Sequence, residues 1–417
     1  MDRRSAMKFG IAAVSAQSAS LYTGMAYGQS GPIRIGLLAP QTGVVAAGGK
    51  EMIEGFNLYW NEVKNQAAGR KVEIIIEDDA GNPDTALQKA RRLVEQQNVH
   101  FLAGNFLANT GLAVASYVKG NKVPYFIPVI AADELTQRAR IDNVIRIAGF
   151  AASQMQRPLA DWALKQGIRK VVTISQDYTF GHEQCGGFAQ TFSEGGGTIV
   201  RQIWHPLNTP DFSPYLGQIQ ESGAQAVFAM ETGADATRLI TQWSNYGMRG
   251  KFTFLGAQNA ADQSVIRTLG DECEGIVSAS HYAEGADAPA VKKFVSSYEA
   301  AYKKTPSIYG CAMYCGARWI HAALEKVGGR VENGAEFLNA VRSTTLTDTP
   351  FGPLIRLDAY GNPIYDVVIR RVVKRDANRL WNVPIDKYTN VSQFGKYDPE
   401  TYLKQPAYSR TFQGVKS

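Results

Sequence analysis

From Ile33 onward the chain alternates short apolar runs with longer stretches whose apolar positions recur at helical spacing. The first run, Ile33–Leu38, is broken by Pro40, Thr42 and Gly43, and a small-residue stretch to Gly49 leads into a helix near Lys50. Further runs predict strands at Val72–Glu77, His100–Ala103, Tyr125–Val129 and Val144–Ile147. Between them, Gly55–Lys64 spaces Phe56, Tyr59 and Trp60 as a helix does, and Thr85–Gln96 does the same with Leu87, Leu93 and Val94 after the start signal Pro83-Asp84. The rhythm restarts after Phe150. Helices Ser153–Gln166, Glu183–Ser193, Tyr215–Glu221 and Ala234–Tyr246 alternate with strands Lys170–Ser175, Thr198–Trp204, Ala226–Met230, Phe252–Leu255 and Gly275–Ala279. The pattern is that of two similar α/β halves meeting near Ala148–Phe150, each a doubly wound parallel sheet covered on both faces. Helical segments Ala288–Lys303, Tyr309–Val327 and Gly334–Val341 follow. A late hairpin, Pro353–Leu357 with Tyr365–Val373, turns at Tyr360-Gly361-Asn362-Pro363. Residues after Asp376 are rich in Tyr, Pro and Asn and are expected to be an irregular tail.

A strand, a Gly-rich turn and a helix start at 33–49 bring backbone N–H groups to one point, which suits a small ligand. Glycines at 36, 43, 48 and 49 do not make the G-x-G-x-x-G spacing, so a dinucleotide is not the expected occupant.

The 417 residues fit two domains of ordinary size, and 45% hydrophobic content fills two cores. The net charge of +6 is scattered, and the short basic cluster Arg370, Arg371, Lys374 and Arg375 reads as solvated surface, without the basic stripe and interleaved aromatics of a nucleic-acid binder. At the N-terminus, Arg3, Arg4 and Lys8 precede a mildly apolar stretch, and Ala26-Tyr27-Gly28 offers small residues for cleavage. Residues 1–28 therefore read as a removable export signal. The paired arginines and weak hydrophobicity are similar to a twin-arginine signal. The stretch is too polar for a comfortable membrane anchor. Four cysteines, Cys185, Cys273, Cys311 and Cys315, make no disulfide scaffold. Cys311 and Cys315, four apart on a predicted helix, lack the His or carboxylate partners of a metal site, and no metal is expected.

Catalytic patterns are missing. The five histidines, His100, His182, His205, His281 and His321, form no H-E-x-x-H pair, and no G-x-S-x-G elbow or Walker spacing occurs. The acid run Glu77-Asp78-Asp79 at a strand end reads as a solvated cap on the next helix. Binding without chemistry, and without a cofactor, is the leading class.

Six stretches resemble one family in order: IRIGLLAPQTG at the first strand, VEIIIEDDAGNPDTA (72–86), KARRLVEQQNV (89–99), ADELTQRA (132–139), DYTFGH (177–182) and FGPLIRLDAYGNP (351–363). From Ile33 to about Val373 the chain resembles the substrate-binding proteins of branched-chain amino-acid type ABC transporters, with the type I periplasmic binding fold. The resemblance implies two lobes joined by three crossings and closing on a solute: 31–148 with 285–348, and 149–284 with 349–417, the tail beginning near 376. It implies a periplasmic monomer, not an enzyme, that passes a small molecule to a membrane permease. Carried over by position, the cleft would include Asn105, Phe106, Leu107 and Asn109 where amino-acid binders place a serine, and Ile130 and Ala131 on the next turn. In the second lobe it would include Tyr178 and Phe180, Glu231 and Thr232 in place of a tyrosine, Gln258 in place of the acid that holds the ligand ammonium, and Tyr282; Tyr309 completes the set. Ala47 and Gly48 stand where a tyrosine is usual, which is expected to leave room for a bulkier solute. A buried ammonium without a carboxylate partner is costly, and a carboxylate is well held by N–H groups, Asn and Gln. The expected ligand is thus an aromatic or hydrophobic organic acid; the alternatives are a branched-chain or other amino acid or amide and, further off, an exported α/β enzyme.

Overall fold

The computed structural model describes residues 31–414; the expected export signal at 1–28 lies outside them. In chain order the first half runs β1 (Ile33–Leu38), α1 (Ala46–Glu62), β2 (Gln66–Ala67), β3 (Arg70–Glu77), α2 (Pro83–Glu95), β4 (Phe101–Gly104), α3 (Ala108–Asn121), β5 (Tyr125–Phe126) and β6 (Val144–Ile145). These strands form a sheet in the order β2-β3-β1-β4-β5-β6, parallel except for the short β2. Ile33, Ile35, Leu37 and Leu38 of β1 are fully buried, as a central strand covered by helices requires. The expected strand at 125–129 stops at Phe126 because Pro128 follows.

The second half runs α4 (Gln156–Lys165), β7 (Lys170–Gln176), α5 (Thr179–Glu194), β8 (Thr198–His205), α6 (Ser213–Gln220), β9 (Ala226–Met230), α7 (Ala234–Asn245), β10 (Thr253–Gly256), α8 (Gln263–Leu269) and β11 (Val277–Ser280). After it come α9 (Pro289–Tyr302), α10 (Ile308–Lys326), α11 (Gly334–Ser343), β12 (Leu346–Thr349), β13 (Gly352–Leu357), β14 (Pro363–Arg375), β15 (Arg379–Val391) and α12 (Pro399–Tyr402). The second sheet is ordered β12-β13-β14-β11-β10-β9-β7-β8, with β15 on β14. Its β7 to β11 part is parallel, and β12 to β15 extend it antiparallel.

The tail after Asp376 is thus not irregular throughout: β15 pairs with β14 from Tyr365↔Val391 to Arg375↔Arg379. Pro384 hid this strand. It stands opposite Arg370, beside a register shift in the ladder, and a bulge is one of the few places a sheet accepts proline. Residues 392–414 then pack Phe394, Tyr402 and Tyr408 into a small cluster of their own.

Helix α10 lies along α1, against the first sheet's layer, at a contact close enough that a Cβ on Gly55 would sit 1.9 Å from the Gly310 carbonyl oxygen. The buried Glu51 carboxylate of α1 accepts the Ser307 N–H at 3.0 Å and pairs with Arg267. The four cysteines are buried and free. Among the described residues no helix is long and apolar enough to cross a membrane.

Candidate ligand-binding cleft

Loops at the C-terminal ends of the parallel strands in both sheets converge on one cavity, as the crossover geometry of α/β sheets favours. On the first-sheet side it is lined by Phe106 after β4, Pro128, Val129 and Ala131 after β5, and Ile308, Tyr309 and Ala312 at the start of α10. Opposite stand Phe150 at the junction of the halves, Tyr178 and Phe180 after β7, Thr232 after β9, Gln258 and Asn259 after β10, and His281 after β11. The walls stand close together: the room left between them for the centres of water-sized spheres is about 20 Å³, space for about one water.

The apolar wall is aromatic. Phe106 and Tyr309 have ring centroids 4.5 Å apart, Tyr178 and Phe180 6.1 Å, and Phe150 and Phe180 6.4 Å. Gly48 makes the first pair possible: a Cβ there would lie 2.5 Å from Phe106 Cε2 and 3.0 Å from Tyr309 Cδ2. The room expected at Ala47 and Gly48 is therefore filled by two rings of the protein, and neither residue lines the cavity. Asn259 Nδ2 donates to the Tyr309 hydroxyl at 2.8 Å, tying the two sides together across the cleft.

The polar wall holds no carboxylate. Gln258 Oε1 accepts the Ser280 hydroxyl at 2.9 Å, which engages its acceptor end and leaves the NH₂ as the end for an occupant. Asn259 Oδ1 is buried with no partner. His281 is buried, lies 4.1 Å from Phe351 and is stacked at 4.7 Å on Tyr365; burial, with Arg370 nearby, pushes its pKa down to about 3, so the ring is neutral. Arg370 itself is fully buried rather than solvated, whereas Arg371, Lys374 and Arg375 are exposed.

Of the residues expected in the cleft, Phe106, Ala131, Tyr178, Phe180, Thr232, Gln258 and Tyr309 meet there. The others have different positions. Asn105 is fully buried, donating to Asp79 at 2.6 Å and accepting the Tyr125 hydroxyl at 2.6 Å, with φ of 57°. Asp79 is for the same reason a buried anchor and not a solvated cap, while Asp78 binds Gln41 and Thr42 of the first turn. Leu107 is the N-cap residue of α3, Asn109 bonds the Thr110 N–H, and Ile130 packs against Gly111. Tyr282 packs on Phe294 and Phe351 away from the cleft.

Glu231 is turned into the protein, bonded to His205 Nε2 at 2.9 Å; desolvation pushes its pKa up to about 7, although His205 opposes this. His205, Glu231 and Asp235 bring ligand-type atoms within 4.8 Å of one another. They are engaged among themselves and their neighbours, Asp235 by Gln176 at 2.5 Å, by the Asn208 N–H at 2.8 Å and by Arg238. Glu231 Oε2 is buried without a partner, and no member of the cluster lines the cleft.

Phe150, Asn259 and His281 were not anticipated. Asn259 joins its expected neighbour Gln258 on the same wall; His281 adjoins Tyr282, and there successive side chains past a strand end leave on opposite sides. The Glu231–Thr232 pair splits in the same way, one inward and one to the cleft.

This architecture, two parallel-sheet halves around one cleft with neutral donors and aromatic walls, is that of a solute-binding protein. The chain belongs to the periplasmic binding protein family, whose profile matches residues 32–377. It is 28% identical over 362 residues to a Leu/Ile/Val-binding protein homologue of Brucella melitensis, covering 85% of this chain and 91% of the other. An ABC transporter substrate-binding protein from Sphaerobacter thermophilus is 32% identical and superposes with a TM-score of 0.81, covering 87% of this chain and 99% of that one. A solute-binding protein of an ABC transporter from Rhodopseudomonas palustris BisB5, in complex with 3,4-dihydroxybenzoic acid, is 28% identical with a TM-score of 0.82, covering 87% and 98%. The chain is accordingly a non-enzymatic, extracytoplasmic solute-binding protein that serves a membrane permease.

Proposed function

We propose that the solute is a small aromatic carboxylate, captured between the rings and the amide groups of the cleft. The observation that carries this reading is a lining with five aromatic rings, Phe106, Phe150, Tyr178, Phe180 and Tyr309, and no acidic side chain. A benzoate-sized ring stacks on such walls, and its carboxylate accepts hydrogen bonds from Gln258 and its neighbours. An α-amino acid would find no carboxylate on the lining for its ammonium, at real cost; Glu231, the acid nearest in sequence, binds His205 through Oε1 and is not part of the lining. The neighbour bound to 3,4-dihydroxybenzoic acid supports the class of ligand. In this reading residues 31–148 with 285–348 move as one lobe and 149–284 with 349 onward as the other, the protein works as a monomer, and Arg3-Arg4 direct twin-arginine export.

A thermal-shift screen of the mature chain against benzoate, 4-hydroxybenzoate, benzamide, leucine and valine tests it. A ligand at a hundred times its Kd stabilises the folded state by about 2.7 kcal/mol, so aromatic acids are expected to raise Tm by several degrees. Stabilisation by leucine or valine alone rejects the proposal.

A further inference from the structure

Resting on the aromatic-carboxylate reading, we propose that Arg370 is the charge-selecting residue of the cleft, acting on a bound carboxylate through Gln258 and His281 rather than by contact. Arg370 of β14 is fully buried, and among the described residues it has no ion pair. Its guanidinium donates from Nε to Ser278 Oγ at 2.9 Å, from Nη1 to the Tyr282 carbonyl at 2.8 Å and from Nη2 to the Gln258 carbonyl at 2.8 Å. One side chain thus joins the loop after β10 to the loop after β11, the two that carry Gln258, Asn259 and His281 to the cavity. The bonds to Tyr282 and Gln258 land on peptides whose N–H ends belong to the next residues, so the cation polarises the Gln258–Asn259 unit toward donating.

A buried cation without a touching anion is costly; the charges of Glu284 and Asp262 reach Arg370 from a distance, and both carboxylates take their hydrogen bonds from other groups. Asp262 accepts the Ser264 and Ile308 N–H groups, and Glu284 accepts from Gln263 and Asn382. Burial raises the pKa of Glu284 while Arg370 opposes it, a coupling without contact. The remaining titratable groups around the pair are Tyr282 and Tyr309, near the guanidinium, and Tyr365, stacked on His281. These tyrosines stay neutral, since burial raises the pKa of each. No carboxylate lines the cleft itself, and the charge of Arg370 adds to burial in holding the His281 imidazole neutral and able to donate from one nitrogen.

The test compares benzoate with benzamide, its uncharged counterpart, on the wild-type protein, Arg370→Met and Arg370→Lys by calorimetry, and follows the His281 ring by NMR across pH. Wild-type protein is expected to favour benzoate. Arg370→Met should lower benzoate affinity about tenfold, the size expected of one charge seen across an intervening group at an effective dielectric of about 20, with little change for benzamide and a rise in the His281 pKa. Arg370→Lys should keep most of the preference. Parallel loss of both ligands, or an unmoved His281, overturns the inference and leaves the aromatic-ligand reading standing. Binding of neither ligand by wild-type protein overturns both. If Arg370→Met does not fold, the wild-type ratio decides: no preference for benzoate over benzamide overturns the inference.

Discussion

At Gln258 the Ser280 hydroxyl holds the acceptor oxygen, so the residue meets the cleft as a donor. Gln258→Glu replaces that donor by an anion beside a site built for anions. Benzoate affinity is expected to fall at least about tenfold, and leucine to gain measurable binding, by calorimetry; unchanged selectivity would refute the charge argument. His281 makes a second residue-scale prediction. Its pKa in the fold is about 3 against about 6.5 unfolded. Below pH 6.5 the unfolded chain takes up a proton that the folded chain refuses, so the contribution of His281 to stability falls as pH drops toward 3, by about 1.4 kcal/mol per pH unit. Glu231, with a pKa raised to about 7, acts in the opposite sense between pH 7 and its unfolded value. The difference between wild type and His281→Leu isolates the histidine: urea unfolding of the ligand-free proteins at pH 7, 6 and 5 should show the variant gaining relative to wild type at each step.

At the scale of elements, two glycines of α1 separate folding from binding. A Cβ at Gly55 meets the backbone of α10, which cannot yield without moving a helix, so Gly55→Ala is expected to cost about 3 kcal/mol in chemical denaturation. A Cβ at Gly48 meets the Phe106 ring edge, a side chain able to swing. Gly48→Ala should therefore cost little stability while pushing Phe106 into the cleft and weakening aromatic acids severalfold. Similar stability losses for the two variants would contradict this account. These contacts also bear on what could be read in advance. The α1 start and the α10 start both carried visible patterns, Gly48-Gly49 and the helical run from Tyr309, but that they touch is a property of the fold.

For the whole molecule, the C-terminal segment links parts far apart in sequence. Arg138, in the turn after β5, donates to the Gln405 carbonyl at 2.9 Å and lies over the Tyr402 ring, while Arg157 of α4 donates to the Tyr402 hydroxyl at 2.9 Å. Tyr408 lies on Gly186 of α5, and Arg410 pairs with Asp177 at 2.6 Å, next to the cleft loop that carries Tyr178. Ending the chain at Val391 removes the buried Phe394, Tyr402 and Tyr408. At about 2 kcal/mol for each buried aromatic, the loss is expected to lower Tm by 10 °C or more, roughly, in calorimetry; an unchanged Tm would show that the segment adds nothing.

Strand and helix periodicity alone determined the two α/β halves, and the family resemblance, with Gln258 where an acid is usual, pointed to a cleft of neutral polar groups. Gln258, Phe106, Tyr178 and Phe180 were placed at the cleft by the resemblance, carried over by position, and each stands just after a strand that the periodicity marks. The tertiary structure decided what depends on distant contacts. It turned Glu231 and Tyr282 inward and their neighbours Thr232 and His281 toward the cavity, since one residue's shift at a strand end reverses direction. It placed β15 on β14 despite Pro384, and it brought Arg370 from an apparent surface cluster to the floor of the cleft, where only the packing of β14 against β11 sets its surroundings.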